Sequence, residues 1–96
     1  MRPSKALDEN RDAIIAIISA HRVGNARVFG SVALGTDTDD SDLDILVEPT
    51  EQTTLLDIGA IRHKLLMLLG VPVDVVTPNA LPDSIRAKVV AAAREI

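Results

Sequence analysis

Two short runs of branched aliphatic residues constrain the fold more than any other feature of the sequence. They are Leu43–Val47 and Val71–Val76, and each has the length and composition of a buried strand. Between them, from Thr53 to Leu69, apolar residues recur at helical spacing until Gly70 ends the pattern. A strand–helix–strand connection of this kind is normally right-handed. It predicts that the two strands are parallel neighbours joined by one long helix.

Three further elements complete the predicted order. Apolar residues recur at helical spacing from Ser4 to about His21, with Ser4 as a candidate N-cap and Gly24 as a stop signal. Ala26–Phe29 is typical of a short buried strand, and Pro82–Ala92 of a last helix. The order α-β-β-α-β-α predicts an α/β fold, a small mixed sheet flanked by helices. A length of 96 residues suits one domain that spans positions 1–96.

The composition excludes several classes of protein. The chain has no cysteine, so it can form no disulfide framework, thiolate metal site or cysteine nucleophile. No apolar stretch reaches the roughly 18 residues that a membrane span needs. The N-terminus turns acidic without the apolar region of a signal peptide. We therefore predict a cytoplasmic protein that does not bind membranes. Phe29 is the single aromatic residue, so the core must be aliphatic.

The charges are distributed unevenly. All ten Lys and Arg residues lie outside the stretch from Val28 to Ala60. Six acidic residues fall within twelve positions of it: Asp37, Asp39, Asp40, Asp42, Asp44 and Glu48. Such a run is usually a solvated loop. It would repel a nucleic-acid backbone, and no aromatic residues are interleaved on which bases could stack. We expect no direct nucleic-acid binding, and a divalent cation as the natural counter-charge.

Asp42 and Asp44 flank Leu43 at the start of the second predicted strand. Side chains two residues apart on a strand point to the same face, so the two carboxylates converge while Leu43 and Ile45 pack inward. Like charges held this close raise each other's pKa unless a positive group lies between them. Mg²⁺, which prefers a few carboxylates plus substrate phosphates, would resolve the repulsion.

Asp74 is the third candidate, because it interrupts the apolar run Val71–Val76. An Asp in such a strand is costly unless it is paired, hydrogen-bonded or bound to metal. Alternatively, Asp74 occupies a solvent-facing edge position or accepts a hydrogen bond from a backbone amide. If its strand neighbours the Asp42/Asp44 strand, three carboxylates share one surface. That arrangement suits two-metal catalysis of phosphoryl chemistry.

A glycine-rich segment, Gly30 to Gly35, directly follows the first predicted strand. Glycine at a strand exit lets the backbone approach a phosphate closely, and Ser31 adds a hydroxyl donor. A strand-to-helix turn would explain the string equally well. The short distance in sequence between this segment and the acidic pair Asp42 and Asp44 favours the phosphate-binding interpretation.

Taken together, these residues resemble the signature of the DNA polymerase β-type nucleotidyltransferases, and most closely that of the minimal (MNT) members. The signature is a Gly-Ser turn (Gly30, Ser31, Gly35), then an SD-x-D strand (Ser41, Asp42, Leu43, Asp44), then one Asp in an apolar strand (Asp74). The resemblance extends from about Arg27 to Val76.

The resemblance implies a role for each matched residue. Asp42 and Asp44 would bind the Mg²⁺ ions that hold ATP. The family resemblance implies two such ions. Asp74 would help to ligate the catalytic metal and favour deprotonation of the acceptor hydroxyl. Gly30 and Ser31 would contact the β- and γ-phosphates, and Ser41 is a further candidate nucleotide-binding residue.

The resemblance also implies a biological setting. Many minimal members are antitoxins that transfer AMP from ATP to a tyrosine of a helical HEPN-domain toxin ribonuclease. Because the chain shows no acceptor-binding domain of its own, a protein substrate agrees with its size. The apolar helix faces suit either a homo-oligomer or a hetero-oligomer.

One position departs from the family pattern. Members commonly have Arg immediately before the second glycine of the turn, where this chain has Leu34, and Leu cannot pair with phosphate. Contact with phosphate would then come from the metals, from backbone amides, or from Arg62 and Lys64 if the long helix points them inward. Leu34 also keeps open a non-catalytic alternative, a binding module that neutralises the toxin by complex formation.

Overall fold

The computed structural model describes residues 1–96. Five helices and four strands alternate along the chain. They are α1 Pro3–Glu9, α2 Arg11–Ser19, β1 Val23–Phe29, α3 Gly30–Leu34, β2 Leu43–Pro49, α4 Leu55–Leu69, β3 Val73–Val76, α5 Asp83–Ala92 and β4 Arg94–Glu95, with a 3₁₀ turn at Pro78–Ala80 between β3 and α5. The predicted α/β class is confirmed, and its order is extended by a split first helix, the short α3 and the short β4.

The four strands form one mixed sheet in the order β3-β2-β1-β4. β1 is antiparallel to both β2 and β4. β2 and β3 are parallel neighbours, as predicted, and α4 makes the connection between them. The N-terminal ends of β2 and β3 therefore lie at the same end of the sheet as the C-terminal end of β1.

One face of the sheet carries the main core. Leu43, Ile45 and Val47 of β2 are fully buried, and they belong to one apolar cluster with Ile61 and Leu65 of α4. Because strand side chains alternate between faces, the other side chains of β2 point to the opposite face. The 3₁₀ turn and α5 contact β2 and β1 respectively, and this second face carries the acidic side chains.

The first helical segment differs from the prediction. The chain breaks between α1 and α2 at Asn10, whose φ of −129° is not helical. Ser4 is not the N-cap, because α1 is preceded by Arg2 with Pro3 in its first turn. Pro suits that position since it has no amide hydrogen to leave unpaired. Gly24 does not end a helix but lies within β1.

Local signals define both ends of α4. Thr54 and Asp57 form a reciprocal capping box at its start, and Gly70 ends it in the left-handed conformation with φ +67°. The helix buries only a narrow stripe, since Leu55, Leu56 and Met67 are exposed. No helix in the structure is both long and apolar enough to cross a bilayer.

The buried stripe of α4 gives a direct test of the fold. Leu65 is fully buried, whereas Leu56 on the same helix is 85% exposed. We expect Leu65→Ala to lower the free energy of unfolding by about 3 kcal/mol, because it removes buried methyl groups and leaves a cavity. Leu56→Ala is the control and should change it by less than about 0.5 kcal/mol. Urea denaturation measures both, and equal losses would contradict this packing.

Candidate functional site

The parallel pairing of β2 with β3 places Asp44 directly beside Asp74. The two residues are register partners across the ladder, and each is flanked by residues that point into the core. Neighbouring strands are about 4.8 Å apart, so the two carboxylates rise side by side from one face of the sheet. The structure thus has Asp74 on the strand beside that of Asp44, as the predicted strand–helix–strand crossover implied.

Asp42 lies two residues before Asp44, just ahead of the first residue of β2. It is exposed, and its charge acts on Asp44. Asp74 is also exposed. Of the two alternatives for Asp74, the solvent-facing edge position is the one observed, because β3 is an edge strand of the sheet. That exposure leaves its carboxylate accessible to a second molecule.

Asp44 is the most perturbed acid of the site. Its partial burial, followed by the neighbouring charges of Asp74 and Asp42, raises the pKa of Asp44 to about 6. Both causes disfavour the ionised form. A cation between the carboxylates would reverse the effect of the two neighbouring charges. Binding of a cation at this site would therefore be electrostatically favourable.

Gly30 lies against Asp44 because of the antiparallel pairing of β1 with β2. Phe29 is the register partner of Asp44, so the next residue leaves β1 immediately beside the carboxylate. Gly30 has a φ of +65°, and a Cβ built on it would overlap the Asp44 carboxylate. Only glycine combines that conformation with that approach. The glycine of the turn is thus required by its contact with the acidic site.

The serines of the predicted site have different surroundings. Ser31 follows Gly30 in α3, is partly buried, and its hydroxyl makes no hydrogen bond within the protein. The hydroxyl of Ser41 accepts a hydrogen bond of 2.8 Å from the amide of Thr38. Ser41 therefore orders the loop that leads into β2. For both serines, contact with a nucleotide stays a prediction.

The acidic loop before β2 is not uniformly solvated. Asp39 and Asp40 are exposed, as expected for a charge run, but Asp37 is only 7% exposed. It accepts a 2.8 Å hydrogen bond from the amide of Ser4, in the first turn of α1. Burial alone would raise the pKa of Asp37, but hydrogen bonds from Ser4 and the charge of Arg2 outweigh it and lower this pKa. Sequence spacing gave no signal for this long-range cap.

The two basic residues proposed to reach the phosphates from α4 do not do so. Arg62 donates from Nε to the carbonyl of Val73 at 3.1 Å, which holds it at β3, two strands away from β1. Lys64 lies 2.8 Å from a ring nitrogen of His21. His21 precedes β1, at the opposite end of that strand from Gly30. This expectation is wrong, because α4 packs on the other face of the sheet.

The donor set fits a hard cation that also binds its substrate. No three acidic or histidine side chains in the structure are arranged so that they alone could hold a metal ion. Mg²⁺ binds characteristically through one or two carboxylates, several waters and substrate phosphates. Asp44, with Asp74 beside it on β3 and Asp42 two residues before it, supplies such carboxylates. The absence of a side chain at Gly30 is what allows the Asp44 carboxylate to take this position. An acidic centre beside a glycine turn on a mixed sheet suits chemistry on metal-bound phosphates.

Comparisons with known proteins agree with this class. The chain matches the nucleotidyltransferase domain family over residues 11–96. A protein of Methanocaldococcus jannaschii named "Putative protein adenylyltransferase MJ0435" is 36% identical over 83 residues, which is 86% of this chain and 89% of that protein. Protein adenylyltransferase MntA of Thermococcus cleftensis is 35% identical, and the match covers 77% of this chain and 83% of MntA.

Solved structures give the same fold. A "putative minimal nucleotidyltransferase" superposes with a TM-score of 0.82 at 39% identity, covering 97% of this chain and 93% of that one. A toxin–antitoxin complex with AMP-PNP shares the fold alone, with a TM-score of 0.75 at 24% identity over 90% of this chain and 71% of that one. The chain belongs to the nucleotidyltransferase domain family, as one of its minimal members, and it is an enzyme of that class.

The raised pKa of Asp44 predicts how stability depends on pH. The folded chain binds this proton more tightly than the unfolded chain, whose Asp has the ordinary pKa of 3.8. The contribution to stability is complete below about pH 4 and is lost as the pH rises through about 6. In metal-free buffer, Asp44→Asn should therefore stabilise the protein at pH 7 by roughly 1–2 kcal/mol, allowing for solvent screening.

Thermal unfolding at pH 4 and pH 7 measures this effect. The gain should be small at pH 4, where the parent carboxyl is protonated in the folded state. Asp40→Asn, in the exposed part of the acidic loop, is the control and should show no comparable gain at pH 7. An equal gain from Asp44→Asn at both pH values would contradict the raised pKa.

A pair of glycine substitutions tests the contact between Gly30 and Asp44. Gly30 and Gly35 both have positive φ, but only at Gly30 would a Cβ meet another group. We expect Gly30→Ala and Gly35→Ala each to cost about 1–2 kcal/mol of stability from the left-handed backbone. Only Gly30→Ala should also displace the Asp44 carboxylate and abolish Mg²⁺-dependent nucleotide binding. Calorimetric titration checks binding, and equal weakening by both variants would contradict the contact.

Proposed function

We propose that the protein is a Mg²⁺-dependent adenylyltransferase that transfers AMP from ATP to a hydroxyl of a partner protein. The observation that carries this proposal is the in-register pair Asp44 and Asp74 with Gly30 against Asp44. Two relatives more than 30% identical are named protein adenylyltransferases. Their names support protein as the acceptor class and an adenylyl group as the transferred unit.

The metal would be held by Asp42 and Asp44, with Asp74 as a further ligand. When bound, Mg²⁺ would neutralise charge on the triphosphate and steady the departing oxygen. In the transfer, the acceptor oxygen forms a bond to the α-phosphorus. The bond from that phosphorus to the α–β bridging oxygen breaks, and pyrophosphate leaves. The carboxylate of Asp74, exposed at the edge of the sheet, takes the proton of the acceptor hydroxyl.

Asp44 and Asp74 would have different roles because their surroundings differ. Asp44 is partly buried between Gly30 and Asp74, which suits a fixed ligand with little freedom to move. Asp74 has solvent on its free side, which suits a group that must meet a second macromolecule. Gly30 and Ser31 lie on the β1 side of Asp44, so the β- and γ-phosphates would occupy that side and the acceptor would approach from β3.

We further propose that the partner is a toxin and that the protein acts as its antitoxin. The structural neighbours include toxin–antitoxin complexes of MntA and HepT, which share the fold with this chain. A helical HEPN-type toxin ribonuclease with an accessible tyrosine is the acceptor that the family resemblance implies. Leu34, at the position where members of the family commonly have Arg, cannot pair with phosphate. It favours a second candidate, a non-catalytic antitoxin that neutralises the toxin by complex formation.

Transfer of label separates the two candidates. Purified protein is incubated with a purified HEPN-type toxin, Mg²⁺ and α-labelled ATP. We expect label on the partner, a loss of at least about a hundredfold with Asp44→Asn or Asp74→Asn, and near-parental transfer with Asp40→Asn as the matched control. A tyrosine-to-phenylalanine change in the partner should remove the label.

Two outcomes would count against catalysis. A stable complex without label would establish the binding-module candidate instead. Label that persists in Asp44→Asn would show that the chemistry does not depend on the in-register pair.

A further inference from the structure

A cavity beside the acidic site is lined in part by a lysine, Lys88, to which the proposed mechanism gives no role. It has a volume of about 310 Å³ and lies between α3 and α5, next to the C-terminal end of β1. Gly30 and Leu34 line one side of it, and Lys88 and Val89 of α5 line the other. Its lining is largely apolar, so Lys88 forms part of the wall with its aliphatic stem while its ammonium group is free to move.

A bound triphosphate would gain from a positive group on the β1 side of the site. The acids of the site and a triphosphate are all negative, and the stretch from Val28 to Ala60 supplies no Lys or Arg. Bound Mg²⁺ offsets part of this charge. The phosphates furthest from the metal ligands would still gain from a charge-assisted hydrogen bond to a nearby cation.

Most basic side chains are already engaged elsewhere. Their partners are Glu48 for Arg27, the carbonyl of Val73 for Arg62, His21 for Lys64, Asp83 for Arg86, Glu9 for Lys5 and Asp8 for Arg11. Lys88 has no ion pair or side-chain hydrogen bond, and it is the single basic residue in the wall of a cavity shared with Gly30. Arg94 lines a different cavity, together with residues of α1.

Leu34 faces the same cavity from α3 and is 70% exposed. A longer basic side chain at this position would enter the space that Lys88 borders. The two positions are therefore alternative sources of one charge, although they are 54 residues apart in the sequence (88 − 34).

From this arrangement we propose that Lys88 binds the β- or γ-phosphate of the nucleotide from across the cavity. It would supply the positive charge that Leu34, in the glycine turn, does not. The inference rests on the proposed function, because it needs ATP at the acidic site. It adds a phosphate-binding residue on α5, an element outside the glycine turn and the acidic strands. It also gives α5 a role in substrate binding in addition to covering the sheet.

The test compares nucleotides that differ in phosphate number. Calorimetry with Mg²⁺ measures binding of ATP and AMP to the parent and to Lys88→Met, which keeps an unbranched apolar stem without the charge. We expect ATP affinity to fall about tenfold while AMP affinity changes by less than about twofold. In the labelled transfer reaction, KM for ATP should rise with little change in kcat. Lys64→Met, with its lysine at the opposite end of β1, is the control and should match the parent.

A rescue variant makes the test specific to this cavity. Leu34→Arg introduced into Lys88→Met should restore most of the ATP affinity, since it returns a cation to the same space. Equal ATP binding by the parent and Lys88→Met would overturn the role of Lys88 while leaving the adenylyltransferase proposal intact. Failure of the parent to bind ATP would overturn both proposals. An equal loss of ATP and AMP affinity would show a general structural effect and would also overturn the role.

Discussion

The close approach of the Gly30 backbone to the Asp44 carboxylate is the contact on which the site depends. It follows from the antiparallel register of β1 and β2, which pairs Phe29 with Asp44. The chain must turn away from the sheet at the next residue, and the left-handed conformation of Gly30 makes the turn. α3 is thereby held against the acidic face of the sheet. A shift of register by one residue would turn Asp44 into the core and separate these parts.

β2 contributes to both the core and the acidic site, because its side chains alternate between the two faces of the sheet. On one face, Leu43, Ile45 and Val47 are fully buried and contribute to folding. On the other face, partial burial of Asp44, together with the charges of Asp74 and Asp42, raises the pKa of Asp44, so its ionised form is unfavourable there without a cation. Locally unfavourable arrangements are common at functional sites, where the stability of the surrounding structure maintains them. Here the aliphatic core supplies the compensating stability.

Patterns of local origin could be predicted from the sequence, and contacts between distant segments could not. Period-two alternation in β2 and the crossover to β3 were enough to place Asp44 and Asp74 on one face. The inclusion of Gly24 in β1 depends on its pairing with Glu48 of β2, which overrides the local signal. The break at Asn10 is a local feature that the apolar spacing concealed, since the Asn10 side chain donates to the carbonyl of Ala6. Burial of Asp37 depends on a hydrogen bond to Ser4, 33 residues away, which no spacing rule could reveal.

The absence of basic residues from the middle of the chain has a thermodynamic consequence. The acidic strands and the glycine turn bring negative charge and backbone amides together. Under the proposed function, Mg²⁺ and a nucleotide would be coupled ligands, and each would raise the affinity for the other by the same factor. A free nucleotide would be repelled by Asp42, Asp44 and Asp74. The proposal therefore implies that the metal–nucleotide complex, rather than either component alone, is the species that the site binds.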